Sequence, residues 1–378
     1  MTPILPGATI GFFGGGQLGR MTALAARDMG YDVRVLDPDP DPAARAIATE
    51  CIQGGWDDVA AAIRLAEGSD VVTLEIERVD LACLDAAAAR VPVRPSSAVL
   101  AIVQRRERQK QWLVDHRFPV GPYRAVGSVA ECEGAVRALG PSYVKASIGG
   151  YDGRGQLRVQ DAGGCADAWR MLRAERCVVE QVLELEREIS VLVARRPGGS
   201  HAVYPPALNH HEAGQLAWSV IPAPIPASLA AEALALAVAI ATALDVVGLL
   251  AVELFALPGG RLVVNELAPR PHNSFHHTME ACATSQFEQL VRAVCDLPLG
   301  STTVDRPAAI ANILGNAWRE GRAPDIASAL EVPGTQIHLY GKRDPRPARK
   351  MGHLAAVADS PDVALARVLE AARRLGAP

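Results

Sequence analysis

An α/β and α+β protein of several domains is predicted by three features of the 378-residue sequence. Through residue 98, apolar strand-like runs alternate with helix-like stretches, the pattern of a parallel sheet covered by helices. Beyond about residue 120, short strands gather around glycine-rich loops, so the architecture changes. A chain of this length also exceeds what one hydrophobic core usually fills.

Residues 1–98 open with the strand TIGFFG, a helix from Gln17 to Met29 and the strand DVRVLD. A helix near Pro42 to Ala48 follows, then the strands DVVTLEIE and VPVRPSS. SAVLAIVQRRERQKQWLVDH reads as one long amphipathic helix, which Pro119 and Pro122 bring to an end. Residues 99–183 carry the rest of that linking helix, the strands SYVKASI and GQLRVQ around a glycine loop, the helix CADAWRMLRAE and the strand CVVEQVL. Residues 184–300 add EISVLVARR, HAVYPPAL, the Pro-rich connector SVIPAPIPAS, an Ala-rich helix and a hairpin. Residues 301–378 form a small β-rich unit with strands AAIANILG and QIHLYGK and a final helix from Asp362 to Leu375.

A net charge of −4 gives no basic domain for a polyanion, so nucleic acid is not an expected partner, whereas a small phosphorylated substrate is compatible. Seven cysteines stand singly without a C-x-x-C pair, which fits neither a disulfide framework nor a zinc knuckle. The N-terminus lacks the marks of a signal peptide, and a reducing cytoplasm is the expected location. The apolar stretch 228–255 is interrupted by Glu232, Asp245 and Glu253, so it reads as a buried helix and strand, not a membrane span.

Gly14, Gly16 and Gly19 spell G-x-G-x-x-G after the first strand, and Asp37 ends the second. That is the spacing of a dinucleotide-binding fingerprint, in which backbone amides approach a pyrophosphate and an acid takes a ribose hydroxyl. A second loop places Gly149, Gly150, Gly153 and Gly155 after Lys145, without the G-K-S/T of a P-loop. It suits a lid over nucleotide phosphates or a plain hairpin turn. In the hairpin GLLAVELFALPGGRLVVNELA, pairing Leu257 with Leu262 would set Glu253 opposite Glu266. Facing carboxylates call for a cation, and with Asn265 they would suit Mg²⁺; a shifted register would leave a surface hairpin instead. His272, His276, His277 and Cys282 lack metal-ligand spacing. The basic runs RRERQK and KRDPRPARK read, on their own, as solvated faces.

Taken together, GGGQLGRM, GGYDGRGQ, VVEQ, NELAPRPHNS, CATSQFEQ and YGKRDPRPARKMGH resemble the N5-carboxyaminoimidazole ribonucleotide synthetase family over essentially the whole chain. The resemblance implies an ATP-grasp fold with an N-terminal Rossmann-like (pre-ATP-grasp) domain. It also implies ATP and Mg²⁺ as cofactors, aminoimidazole ribonucleotide and bicarbonate as substrates, and a homodimer. On this reading the first glycine loop meets the substrate's phosphate and not NAD.

The roles it implies are these. ATP is held by Arg106, Lys145, Gly150, Tyr151, Asp152, Gly153, Arg154, Gly155 and Gln156, by Glu180, Gln181, Val182 and Leu183, and by Glu188, His211, Asn265 and Glu266. Glu253 and Glu266 bind Mg²⁺. Arg270, His272 and Asn273 surround bicarbonate and, with Asp152 and Lys342, form the catalytic group. Gly14, Gly16, Gln17, Leu18, Glu75, Tyr151, Arg154, Lys342, Arg349 and Lys350 face the ribonucleotide. The chain departs from the family pattern at Arg78, Arg105, Phe275, His277 and Ala348, and Phe275 is expected to narrow the bicarbonate pocket or reorient its loop. A formate-dependent glycinamide ribonucleotide transformylase, the alternative ligase, is disfavoured by PRPHNS and the GKRDPRPARKMGH tail. A non-catalytic nucleotide sensor is disfavoured by the survival of Lys145, Glu253 and Glu266.

Overall fold

The computed structural model describes residues 2–149, 155–318 and 323–376, and among these the chain forms three sheets. The first holds β1 (Thr9–Phe13), β2 (Asp32–Asp37), β3 (Glu50–Gln53) and β4 (Val71–Leu74), all parallel, in the order β3-β2-β1-β4. Every residue of β4 is buried, as strands covered on both faces demand. The crossovers include the helices Gln17–Asp28 and Val59–Glu67, and Leu81–Ala88 follows β4.

Two expectations fail in this unit. The segment 42–48 is a run of turns held by bonds such as Ala48 N to Ala44 O, too short to repay helix nucleation, and it delivers the chain into β3. VPVRPSS touches the sheet through a single bridge, Val72 to Val93, because Pro92 and Pro95 have no amide to give a ladder. The sequence reading also omitted the helices Val59–Glu67 and Leu81–Ala88, whose first turns are capped by the side chains of Asp58 and Asp80.

The long linking helix is two helices, Ser97–Val103 and Arg106–Asp115, separated at Arg105, whose backbone is extended. Tertiary bonds compensate for the broken ladder. Gln104 Nε2 donates to the carbonyls of Glu77 and Val79, and the Arg106 amide donates to Ser147 O. The break turns Arg106 toward the hairpin that carries the paired acids.

The second sheet, antiparallel, contains β5 (Tyr123–Val126), β6 (Ser142–Ala146), β7 (Gln156–Val159) and β8 (Cys177–Gln181) in the order β5-β8-β6-β7. Its small core joins Val126, Val144 and Val179 to Cys132, Cys165 and Cys177 beneath the helices Val129–Leu139 and Cys165–Leu172.

The third sheet has nine strands: β9 (Arg187–Arg195), β10 (His201–Val203), β11 (Ala207–Glu212), β12 (Gln215–Ile221), β13 (Gly248–Leu257), β14 (Arg261–Ala268), β15 (Ala308–Leu314), β16 (Thr335–Leu339) and β17 (Lys350–Val357). The helix Ala227–Ala243 lays Leu229, Ala233, Ala237, Ile240 and Ala241 onto one face of it. No described helix is long and apolar enough to cross a membrane. β15 pairs with β12, so residues 301–378 continue the sheet of residues 184–300 by hydrogen bonds as well as packing. β17, unread in the sequence, begins at Lys350 inside the basic run.

Candidate active site

The three sheets converge on a cleft of about 1830 Å³. Its walls include Gly16, Gln17, Leu18 and Glu75 from the first unit, and Lys145, Gln156, Glu180, Gln181, Val182 and Leu183 from the second. The third unit adds Glu188, His211, Glu253, Asn265, Glu266, Arg270, His272, Asn273, Lys342 and Lys350, and Arg106 enters from the linker.

The paired acids face each other, but not by the register expected. Leu257 pairs with Arg261 and Leu254 with Val264, one position out; a bulge then inserts Asn265 and brings Glu253 opposite Glu266. Bulges re-aim side chains next to sites. Each carboxylate has its own protein partner: Arg106 lies 2.9 Å from Glu266, and His272 Nε2 lies 3.2 Å from Glu253, which also accepts from Asn265 Nδ2 at 3.0 Å. Burial pushes the Glu253 carboxyl up, but His272 and His211 outweigh it and take it down to about 2. Asn265 Oδ1 is buried without a partner. Two carboxylates and an orphaned amide oxygen make a hard donor set that fits Mg²⁺.

A second charged group lies beneath the lid sheet. Glu180 on β8 accepts from Lys145 at 3.0 Å, and Lys110 stands 3.5 Å away, nearly fully buried. Burial raises the Glu180 carboxyl, yet the two lysines drive it to about 2. Lys110 was missed, and the reading of RRERQK as a solvated face fails for it. Its helical spacing of four from Arg106 was the available signal, since i and i+4 share a face. On β11, His211 pairs with Glu188 at 2.5 Å, which raises the imidazole against the effect of burial.

The first glycine loop binds an anion, and that anion is the protein's own. Gly16 and Gly19 amides donate to the Glu75 carboxylate at 2.5 and 2.6 Å, and Gly15 donates to Asp37 at 2.7 Å. β4 runs beside β1, so Glu75 arrives at the loop by strand pairing. A Cβ at Gly16 would lie 2.5 Å from Glu75 Oε1. These amides thus donate to internal carboxylates, where the sequence leads one to expect a substrate phosphate. Burial raises the Glu75 carboxyl, opposed by the two amides.

The segment after β14 supplies the remaining groups. Arg270 Nε meets Glu77 at 2.7 Å, a partner the sequence reading did not name, and both amide atoms of buried Asn273 lack a partner. Phe275 does not line the cleft, contrary to expectation. It is fully buried against Tyr204 and the edge of His277, with ring centroids 6.2 and 5.7 Å away. Across the cleft, Lys342 Nζ donates to Gln17 Oε1 at 2.7 Å and to Lys350 O at 2.8 Å.

Three expected residues stand off the cleft wall: Gly14, Gly155 and Arg349, whose guanidinium donates to Asp344 O at 2.9 Å. Gly150, Tyr151, Asp152, Gly153 and Arg154 lie outside the described residues. Among the described residues no cluster of three or more His, Cys, Asp or Glu side chains could hold a metal alone.

Comparison with known proteins identifies the family. Residues 7–104 match the ribonucleotide synthetase preATP-grasp domain, 111–287 the ATP-grasp domain and 308–367 the phosphoribosylaminoimidazole carboxylase C-terminal domain. The chain is 38% identical over 353 residues to the N5-carboxyaminoimidazole ribonucleotide synthase of Bacillus subtilis, covering 93% of this chain and 92% of that one. With the Brucella melitensis synthase the figures are 39% over 359 residues, 94% and 98%. Its fold is similar to a crystal structure of the ADP complex of an N5-carboxyaminoimidazole ribonucleotide synthetase, with TM-score 0.92, 40% identity and 98% of both chains covered. It is also similar to the Aspergillus clavatus synthase in complex with ADP and 5-aminoimidazole ribonucleotide, with TM-score 0.89, 30% identity and 97% and 98% covered. With its acids paired through a bulge and its cations gathered on one cleft, this chain belongs to the N5-carboxyaminoimidazole ribonucleotide synthase family of ATP-grasp enzymes.

Proposed function

We infer that this chain couples ATP to the carboxylation of 5-aminoimidazole ribonucleotide by bicarbonate, giving N5-carboxyaminoimidazole ribonucleotide, ADP and phosphate in purine biosynthesis. The observation that carries it is the single cleft in which Glu253 and Glu266, Lys145 and Arg106, and the Arg270 to Asn273 segment all meet.

Bicarbonate is a poor electrophile. Transfer of the γ-phosphoryl group to one of its oxygens, with loss of ADP, makes carboxyphosphate. The exocyclic amine then forms the new C–N bond as the phosphate leaves, either directly or through released CO₂, and the nitrogen gives up a proton. The protein's part is positioning and charge compensation. Lys145 and Arg106 face the phosphates, and the hinge residues Glu180 to Leu183 and Glu188 hold the nucleoside. Glu253, Glu266 and Asn265 would hold Mg²⁺, which when bound offsets charge on the phosphoryl oxygens.

Arg270, His272 and Asn273 offer fixed donors to bicarbonate, and the free amide of Asn273 suits a trigonal anion. Lys342 and Lys350 meet the ribonucleotide's phosphate, while Gln17 and the buttressed Glu75 face its sugar and base. Asp152, Tyr151 and Arg154 keep their assigned roles as part of this proposal. The division into residues 1–98, 99–183, 184–300 and 301–378 is part of this proposal, with the last two segments sharing the nine-stranded sheet. Seven unpaired cysteines suit a reducing cytoplasm. Homodimerisation rests on the family resemblance, and light scattering that finds a monomer at micromolar concentration overturns it.

Phosphate release decides the reaction. ATP with bicarbonate and aminoimidazole ribonucleotide should yield phosphate, whereas ATP with formate and glycinamide ribonucleotide should not. The reverse result, or silence in both mixtures, refutes the assignment.

A further inference from the structure

CATSQFEQ gives the site no assigned residue, yet the first of its two glutamines, Gln286, is fully buried behind the Arg270 to Asn273 segment. We propose that Gln286 is a positioning residue for the bicarbonate subsite, its side-chain amide bracketing the backbone of His272 and so fixing where that imidazole stands. The proposal rests on the reading of His272 as a bicarbonate contact.

The geometry is a two-point clamp. Gln286 Oε1 accepts the His272 N–H at 2.8 Å, and Gln286 Nε2 donates to the His272 carbonyl at 3.0 Å. Because one of these partners can only donate and the other only accept, the amide's orientation is fixed without ambiguity. Its second N–H then points at His276 Nδ1, 3.0 Å away, which must accept, leaving the His276 proton on Nε2. The Gln286 backbone N–H donates to Thr278 Oγ1, whose hydroxyl donates to Phe275 O. One residue at the start of the helix Gln286–Val294 thus ties down positions 272, 275 and 276.

A clamp is needed here for a physical reason. Pro269 and Pro271 deprive the segment of amides, and its regular structure is one short turn, Asn273–Phe275. No strand ladder holds His272, so a side-chain amide takes the place of a neighbouring peptide group, meeting both backbone groups at once. The imidazole is then aimed by its own nitrogens: Nδ1 lies 2.7 Å from Ser274 Oγ and Nε2 3.2 Å from Glu253. A ring oriented at both nitrogens but mounted on a loose backbone would not hold its donor in place.

Steady-state phosphate release by the full chain tests this, with bicarbonate and ATP each varied in turn, in wild type, Q286E, Q286M and H272N. Q286E keeps the acceptor for the His272 amide and loses the donor for its carbonyl, so kcat/KM for bicarbonate should fall by about 10-fold. Q286M loses both bonds and should fall by about 100-fold, while KM for ATP stays within about twofold in each. Should Q286M fail to fold, the isosteric Q286E carries the test. Unchanged bicarbonate kinetics in Q286E beside impaired kinetics in H272N overturn the clamp alone. An equal loss toward ATP and bicarbonate shows a merely structural glutamine and also overturns it. Unchanged bicarbonate kinetics in H272N remove the reading of His272 itself.

Discussion

Replacing His277 with glutamine should flatten the protein's loss of stability in mild acid. His277 is fully buried, its Nδ1 has no partner, its Nε2 is 3.5 Å from Ser219 Oγ, and it meets the edge of Phe275. Burial takes its pKa down from 6.5 to about 3, so the folded state keeps it neutral while the unfolded chain protonates it below pH 6.5. The folded pKa is depressed for a base, so stability is present above the unfolded pKa and is lost as pH falls from 6.5 toward 3. Linkage makes the loss RT ln[(1 + 10^(6.5−5))/(1 + 10^(6.5−7))], about 2 kcal/mol between pH 7 and pH 5. Buried His276 and His353, also pushed down, add losses of the same sign, and raised groups such as His211 and Glu75 oppose them. The difference between wild type and variant isolates the one residue. Guanidinium unfolding at pH 7 and pH 5 should show His277→Gln losing about 2 kcal/mol less than wild type. Parallel losses in the two proteins would refute the argument that the site holds a neutral imidazole.

Further outcomes follow from three places in the cleft. Glu253→Gln or Glu266→Gln should cut turnover about a hundredfold or more; rates near wild type at low Mg²⁺ would remove the metal role. Because Arg106 already neutralises Glu266, apo Glu266→Gln should be destabilised by about 1 kcal/mol, a sign that thermal melts would read directly. Gly16→Val forces Glu75 out of the glycine loop and should raise KM for aminoimidazole ribonucleotide while leaving that for ATP near wild type; a matched rise in both speaks against it. Lys110→Met leaves Glu180 with one lysine fewer and should cost about 2 kcal/mol at neutral pH. A carboxyl held near 2 contributes stability above about pH 4.5 that is lost as pH falls through its folded value. With Lys110 gone the folded Glu180 carboxyl moves back toward its ordinary value, so between about pH 4.5 and pH 2 the variant should lose less stability than wild type, and equal losses would count against the pairing.

The alternation of strand and helix that opens the chain, the first glycine loop and the hairpin with its acids were legible in the sequence because each is a local pattern, whereas the helices Val59–Glu67 and Leu81–Ala88 and the strand β17 were not read from it. Periodicity, turn residues and short motifs encode who is near whom along the chain. What they could not encode was the partner of each charged group. Glu75 fills the first glycine loop because β4 pairs with β1; Arg106 reaches Glu266 because the linker breaks at Arg105; Glu253 faces Glu266 only through the bulge at Asn265. Lys110 looked like part of a solvated run until packing buried it beside Glu180. Phe275 looked like an intrusion on the pocket until its ring was found against Tyr204 in the core. A sequence fixes which side chains lie within a turn of one another, but the desolvation and pairing of a charge depend on contacts between segments as distant as residues 106 and 266, and those exist only once the sheets have closed around the cleft.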